Sequence, residues 1–210
     1  MSLSEALNGV KAQAKQALPA EIFNVFTAEQ ARNAVSGAAT AGAVLPDFKL
    51  TDATGGQVSL GELVANGPAV LVFYRGVWCP YCNLTLRTYQ QELLPQLEKL
   101  GVPLVAISPQ LPDGSLSTKE KNELEFTVLS DVGNNVARAL GITYRQEPEV
   151  RNGAKALGVD VAEGNGADDV ELPHPAVLIV DGDKTIRFID VHPDYTTRTE
   201  VSEIVSALRR

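Results

Sequence analysis

Cys79 and Cys82 are the only two cysteines in 210 residues, and two residues separate them. They stand in the stretch YRGVWCPYCN, beside Trp78, the only tryptophan. Thiols at this spacing can form a local staple, a metal clip or a redox pair. The staple is a weak reading, because closing so short a loop removes little entropy from the unfolded chain. A structural zinc site takes about four protein ligands. Beyond the cysteines the chain offers only His174 and His192, without a second C-x-x-C. The redox pair fits best: a thiolate attacks, an intermediate forms, and a second thiol closes a disulfide, giving a reversible two-electron switch.

That chemistry needs a setting that favours a thiolate. The apolar, β-branched run AVLVFY (69–74) reads as a strand buried on both faces. A short loop, RGVW, follows it, and Pro80 suits the first turn of a helix, where its missing N–H is not needed. Cys79 then sits at the helix N-terminus and Cys82 one turn on, on the same side. Unpaired N–H groups and the positive helix end stabilise a thiolate there. Such cysteines fall from a pKa of about 8.5 to about 7 or lower. By helix position alone, Cys79 has the better claim to the low pKa and the first attack. Arg75 adds positive charge, Trp78 shields the sulfur from water, and Tyr81 is expected to be partly exposed and able to touch substrate. A strand-to-helix junction is expected to be accessible, which argues against an inert buried pair.

Around this motif the chain alternates. Helices are predicted over 2–18, with Ser2 and Glu5 as a capping box, and over 21–35. The small-residue stretch SGAATAGA links them to the rest. Two short extended pieces flank Gly55-Gly56. A helix is predicted from 80 to about 94, with Pro95 kinking or breaking it. VPLVAIS and FTVLSD read as further strands. Ser117 with Glu120 caps a short helix, and GNNVARALG forms another. Residues 144–172 read as an irregular insertion with one helical turn around 150–157, and GNGADDVE (164–171) within it as a solvated loop. PAVLIVDGDKTIRFID reads as a hairpin, and a last helix begins at Thr199. Asp131, Asp181 and Asp183 read as turn residues. This alternation demands parallel strands with helices on both faces. The expected fold is α/β, thioredoxin-like, with a central mixed sheet flanked by helices. Residues 1–44 form a helical N-terminal extension to a domain at 45–210.

The bulk numbers exclude some partners. A net charge of −8 repels phosphate backbones and anionic membranes, so neither nucleic acid nor a membrane is expected as a partner. The longest apolar stretch is too short to cross a bilayer. Lys11 and Lys15 interrupt any signal-peptide pattern in the first thirty residues, so a cytoplasmic protein is expected.

From about Leu45 onward the chain resembles the peroxiredoxin-like branch of the AhpC/TSA group, within the thioredoxin superfamily. LPDFKLTDATGGQVSLGELV, FYRGVWCPYCNLTLR, ISPQ, FTVLSD, LPHPAVLIVDGD and DYTTR carry the resemblance. It implies an antioxidant peroxidase that reduces hydroperoxides and is re-reduced by a thioredoxin-like or other dithiol donor. It also implies no cofactor or metal, and by analogy a homodimer. In the group's register Arg75 takes a proline position, Cys79 a threonine position and Cys82 that of the peroxide-reactive cysteine. Pro175 stands where a further arginine is usual. The resemblance thus implies that Cys82 becomes a sulfenic acid and Cys79 condenses with it.

Read as a thioredoxin, the motif makes Cys79 the nucleophile and Cys82 the resolver. HPAVLIV then matches the segment with a cis-proline, so a cis His174–Pro175 bond is expected. His174 is either a surface-loop histidine or a proton donor or acceptor for the leaving thiol. Asp194-Tyr195 looks like a packing landmark near the last helix. Three functions follow: a hydroperoxide reductase, a general disulfide reductase, and a redox-sensing module that does not turn over.

Overall fold

The computed structural model describes residues 2–168 and 170–210; Asp169, in the stretch read as a solvated loop, and Met1 lie outside the described residues. Its centre is a seven-stranded mixed sheet in the order β2-β1-β5-β4-β3-β8-β9. The strands are β1 (Lys49–Asp52), β2 (Gln57–Ser59), β3 (Ala69–Phe73), β4 (Leu104–Ser108), β5 (Thr127–Ser130), β8 (Ala176–Val180) and β9 (Ile186–Val191). β3, β4 and β5 run parallel, with Val70 opposite Leu104 and Val105 opposite Thr127. β8 pairs antiparallel with β3, and β9 completes the expected hairpin.

β3 and β8 are apolar at every position, and β4 at all but Ser108, because both faces of the sheet are covered. Val70, Val72, Ala106, Val128 and Ile179 point into one core layer with Leu86 and Ile204. Leu71, Phe73, Ile107, Leu129 and Leu178 point into the other, against Leu60 and Leu140. The period of two along each strand divides the layers.

The helices follow the alternation, with differences that have local causes. After β3, α4 (Pro80–Thr88) starts at Pro80, as expected, with Cys79 as its N-cap. Pro95 does not break the helix. A π turn, Tyr89–Leu93, in which Leu94 N–H donates to the Tyr89 carbonyl, leads into α5 (Leu94–Glu98), and Pro95 falls in the first turn of α5. Ser117 and Glu120 do not cap a helix. They lie inside α6 (Pro112–Lys121), which starts at another N1 proline, Pro112, and buries Ser115 and Thr118. The helical turn expected around 150–157 is α8 (Pro148–Ala156), but the rest of residues 144–172 is not irregular. β6 (Thr143–Arg145) pairs antiparallel with β7 (Glu171–Pro173), enclosing α8 and α9 (Val161–Asn165). The hidden signals are proline at N1 of α8 and the Asp160 side chain accepting from Glu163 N–H at 3.2 Å. Asp131 opens a turn, as expected, with Asn134 N–H donating to its carbonyl at 2.8 Å, and its buried carboxylate accepts from Val136 and Ala137 N–H at the start of α7 (Asn135–Ala139). α3 (Leu60–Leu63) and α10 (Val201–Leu208) complete the set.

The N-terminal helices α1 (Leu3–Ala17) and α2 (Ala20–Arg32) lie on the end of the sheet where α4 begins. Ser2 and Glu5 form the capping box of α1. Leu3 and Leu7 are buried with α4 and α10 residues in the main core. The Glu200 carboxylate accepts from Leu3 and Ser4 N–H at 3.1 and 2.8 Å, so the start of α1 is tied to the C-terminal helix.

Candidate active site

The loop after β3 is held from several sides. Val77 N–H donates to Gln110 Oε1 at 2.9 Å, and Asn83 Nδ2 donates to the Val77 carbonyl at 2.7 Å. Asn122 braces Asn83 in turn at 3.0 Å. Cys79 N–H donates to the Gly76 carbonyl at 3.1 Å, closing a turn that delivers the chain into α4. A Cβ on Gly76 would lie 2.4 Å from the Trp78 indole nitrogen, so only glycine lets the indole fold back over this turn.

Both cysteines are free, and each is only 1% exposed. The junction is therefore not the open place that strand-to-helix geometry suggests. α1, α2 and α8 roof it. The sulfurs are nevertheless not enclosed in hydrocarbon. Arg198 Nη2 donates to Cys82 Sγ at 3.2 Å, and Arg75 Nη1 lies 4.0 Å from Cys79 Sγ. The two sulfurs are within hydrogen-bonding reach of each other. Burial works against a charge on either. For Cys82 it is outweighed by the Cys79 S–H, Arg198, the Arg75 backbone N–H and the Arg75 guanidinium, which bring the thiol well below its usual range. Burial and the neighbouring Cys82 push Cys79 well above it, although Arg75 and Arg198 oppose this. The order that helix position suggests is thus reversed. Cys79 is the N-cap yet makes no side-chain capping bond, and Pro80 supplies no N–H.

Arg75 is the hub of the site. It is 4% exposed, stacks 3.9 Å over the Tyr195 ring and 4.8 Å over Trp78, and pairs with Glu29 of α2 at 3.7 Å. Tyr195 is thus a member of the site, not a packing residue of the last helix alone; its hydroxyl donates to the Phe26 carbonyl at 3.2 Å. Tyr81 is buried rather than partly exposed, 6.1 Å from Tyr195 between ring centres. His174 is not a surface histidine. It is buried and stacked on Tyr144 with centroids 4.7 Å apart, and burial followed by the field of Arg75 lowers its pKa to about 4. It is a neutral ring at physiological pH. No cis peptide bond occurs among the described residues, so His174–Pro175 is trans. The chain passes extended from β7 to β8, held by His174 N–H to the Ile142 carbonyl at 2.7 Å and by His192 N–H to the Pro175 carbonyl at 2.8 Å.

Two residues escaped the sequence reading. Arg198 reaches Cys82, and its signal stood in the DYTTR landmark. Its Nη1 donates to the Tyr195 and Thr197 carbonyls, which aims Nη2 at Cys82. Glu29 had no local signal. A cavity of about 340 Å³ lies over Cys79, Pro80 and Tyr81, between α1, α2 and α8; Cys82 does not line it. Among the described residues no group of three or more His, Cys, Asp or Glu side chains is arranged to hold a metal.

A thioredoxin-like sheet with a dithiol at the opening of a helix defines a thiol-redox protein class. Residues 41–189 match the profile of the AhpC/TSA family, and the chain belongs to that family. It is similar to the chloroplastic peroxiredoxin Q of Triticum aestivum, 31% identical over 145 residues, covering 67% of this chain and 63% of the relative. It is also similar to peroxiredoxin Bcp of Escherichia coli K12, 34% identical over 103 residues, covering 49% of this chain and 64% of that protein. The chain thus spans less than two thirds of the length of these relatives. The crystal structure of peroxidoxin BcpB from Mycobacterium tuberculosis shares the fold, with a TM-score of 0.62 at 20% identity, covering 80% of this chain and 96% of that one.

Proposed function

We propose that the protein is a thiol peroxidase that reduces hydroperoxides through Cys82 and Cys79. The observation that carries this reading is the 3.2 Å contact from Arg198 to Cys82 Sγ, which favours a thiolate on the second cysteine of the motif. The Cys82 thiolate attacks one peroxide oxygen, the O–O bond breaks, and the departing alkoxide or hydroxide takes up a proton. Cys82 is left as a sulfenic acid. The Cys79 sulfur then attacks the Cys82 sulfur, and the sulfenic hydroxyl leaves as water with the Cys79 proton. Arg75 beside Cys79 favours the negative charge that develops there. A dithiol donor returns the pair to the reduced state.

Residues 1–44 act in this reading as a helical extension that supplies Glu29 and roofs the site. A reducing, cytoplasmic location suits a pair that must return to the thiol state after each turnover. A general disulfide reductase needs the nucleophilic thiolate on Cys79, and the charge order at the site favours Cys82 instead.

The test is a stopped-flow mixing of reduced protein with stoichiometric hydrogen peroxide, read by Trp78 emission. A response at least about a hundredfold faster than free cysteine is expected; a rate no faster than free cysteine removes the peroxidase reading.

A further inference from the structure

The cavity faces the sulfur that peroxide does not attack. Cys79 is on its wall and Cys82 is not. This placement suits the half-reaction in which Cys79 is attacked, the reduction of the disulfide. Attack at Cys79 also expels the better leaving group, because Cys82 departs as the thiolate that Arg198 stabilises.

We propose that the cavity is the docking site of a small apolar dithiol, which reduces the Cys79–Cys82 disulfide from the Cys79 side in place of a folded thioredoxin-like donor. The order of the two sulfurs is taken from the peroxidase reading above. The size of the space, about 340 Å³, is at the low end of small-molecule sites, which run from about 300 to 1,000 Å³. Its walls are largely apolar: Val10 and Ala14 from α1, Phe23 and Phe26 from α2, Val150 and Ala154 from α8. Gln30, Gln146 and Arg75 supply a few polar groups.

The roof is fastened, which separates a small donor from a protein. Leu7 is buried in the main core, Glu200 holds the first amides of α1, Tyr195 bonds the Phe26 carbonyl, and Arg75 pairs with Glu29. A folded donor would have to break these contacts to bring its thiol to Cys79.

A dithiol suits the site because its second thiol resolves the mixed disulfide without a second molecule having to enter. Its thiolate attacks Cys79 Sγ, the Cys79–Cys82 bond breaks, and Cys82 leaves as a thiolate. The donor's second thiol then attacks its own sulfur in the mixed disulfide. A cyclic donor disulfide forms, Cys79 leaves and keeps one of the two donor protons, and the other goes to solvent. Two electrons pass from donor to protein.

The experiment forms the disulfide with an azodicarboxamide oxidant, so that it runs whether or not peroxide reacts with Cys82. Reduction is then followed by Trp78 emission with dihydrolipoamide, dithiothreitol and a thioredoxin in parallel. Dihydrolipoamide is expected to be the fastest of the three. In Ala14→Phe, and in Ala154→Phe on the opposite wall, its rate relative to dithiothreitol is expected to drop at least about tenfold. A thioredoxin faster than dihydrolipoamide overturns the proposal. So does a dihydrolipoamide-to-dithiothreitol ratio that neither variant changes, or a loss in the variants confined to the reaction with organic hydroperoxides, which would assign the cavity to the oxidant.

Discussion

At the residue scale, the site turns on which sulfur carries the charge. Hydrogen bonds to a charged group contribute about 1.5–3 kcal/mol, so Arg198→Met should raise the Cys82 pKa by about one to two units. The thiolate is present above that pKa and disappears as pH falls through it. The acid limb of the peroxide rate should therefore move up by about one to two pH units in the variant, with a roughly ten- to hundredfold fall at pH values below the wild-type pKa. A pH–rate profile for the two proteins checks this; superimposable limbs would remove Arg198 from the site. The chemistry of the pair was legible in the sequence, because C-x-x-C after an apolar strand and before proline leaves few alternatives. The assignment of roles was not. Helix position favours Cys79, but the N-cap sulfur receives no amide hydrogen bond, and the deciding charge comes from Arg198, more than a hundred positions away in sequence. DYTTR marked the arginine without saying what it touches.

At the element scale, the loop between β3 and α4 sets the position of Trp78 and Cys79. Gly76 has φ of +156°, and a side chain there would collide with the indole. Gly76→Ala is expected to cost about 1–3 kcal/mol, as overpacking does, and to shift Trp78 emission in the folded protein. Chemical denaturation with emission spectra checks both; an unchanged midpoint and spectrum would contradict the tight turn. Elements with a strong period were readable: AVLVF, VPLVAIS and the hairpin lie where the apolar runs place them. Apart from one helical turn, residues 144–172 were not, because their helices are short and their strands pair only with each other, across the segment they enclose. A π turn at Tyr89–Leu93 stands before Pro95 in place of a break, and no local rule selects it.

At the scale of the molecule, α2 reaches the site through Glu29. Burial raises the pKa of this carboxyl from its ordinary 4.5, while Arg75 and Arg32 pull against the rise. An acid whose pKa is raised by folding binds its proton more tightly in the folded state, so stability falls as pH rises from 4.5 through the raised value. Glu29→Gln keeps the shape and removes that titration. Its melting temperature should decline less over this window than that of the wild type; an identical slope would mean that Glu29 does not titrate as buried. Nothing near Glu29 in the sequence signals this contact. A glutamate on an amphipathic helix reads as solvated, and only the fold brings it to Arg75.

The most direct measurement is sulfenic-acid labelling with dimedone, read by mass spectrometry, after one equivalent of hydrogen peroxide. In Cys79→Ser the label should appear on Cys82, and in Cys82→Ser no rapid labelling should occur. A label that forms quickly on Cys79 in Cys82→Ser, with none on Cys82 in Cys79→Ser, would contradict the assignment of the thiolate.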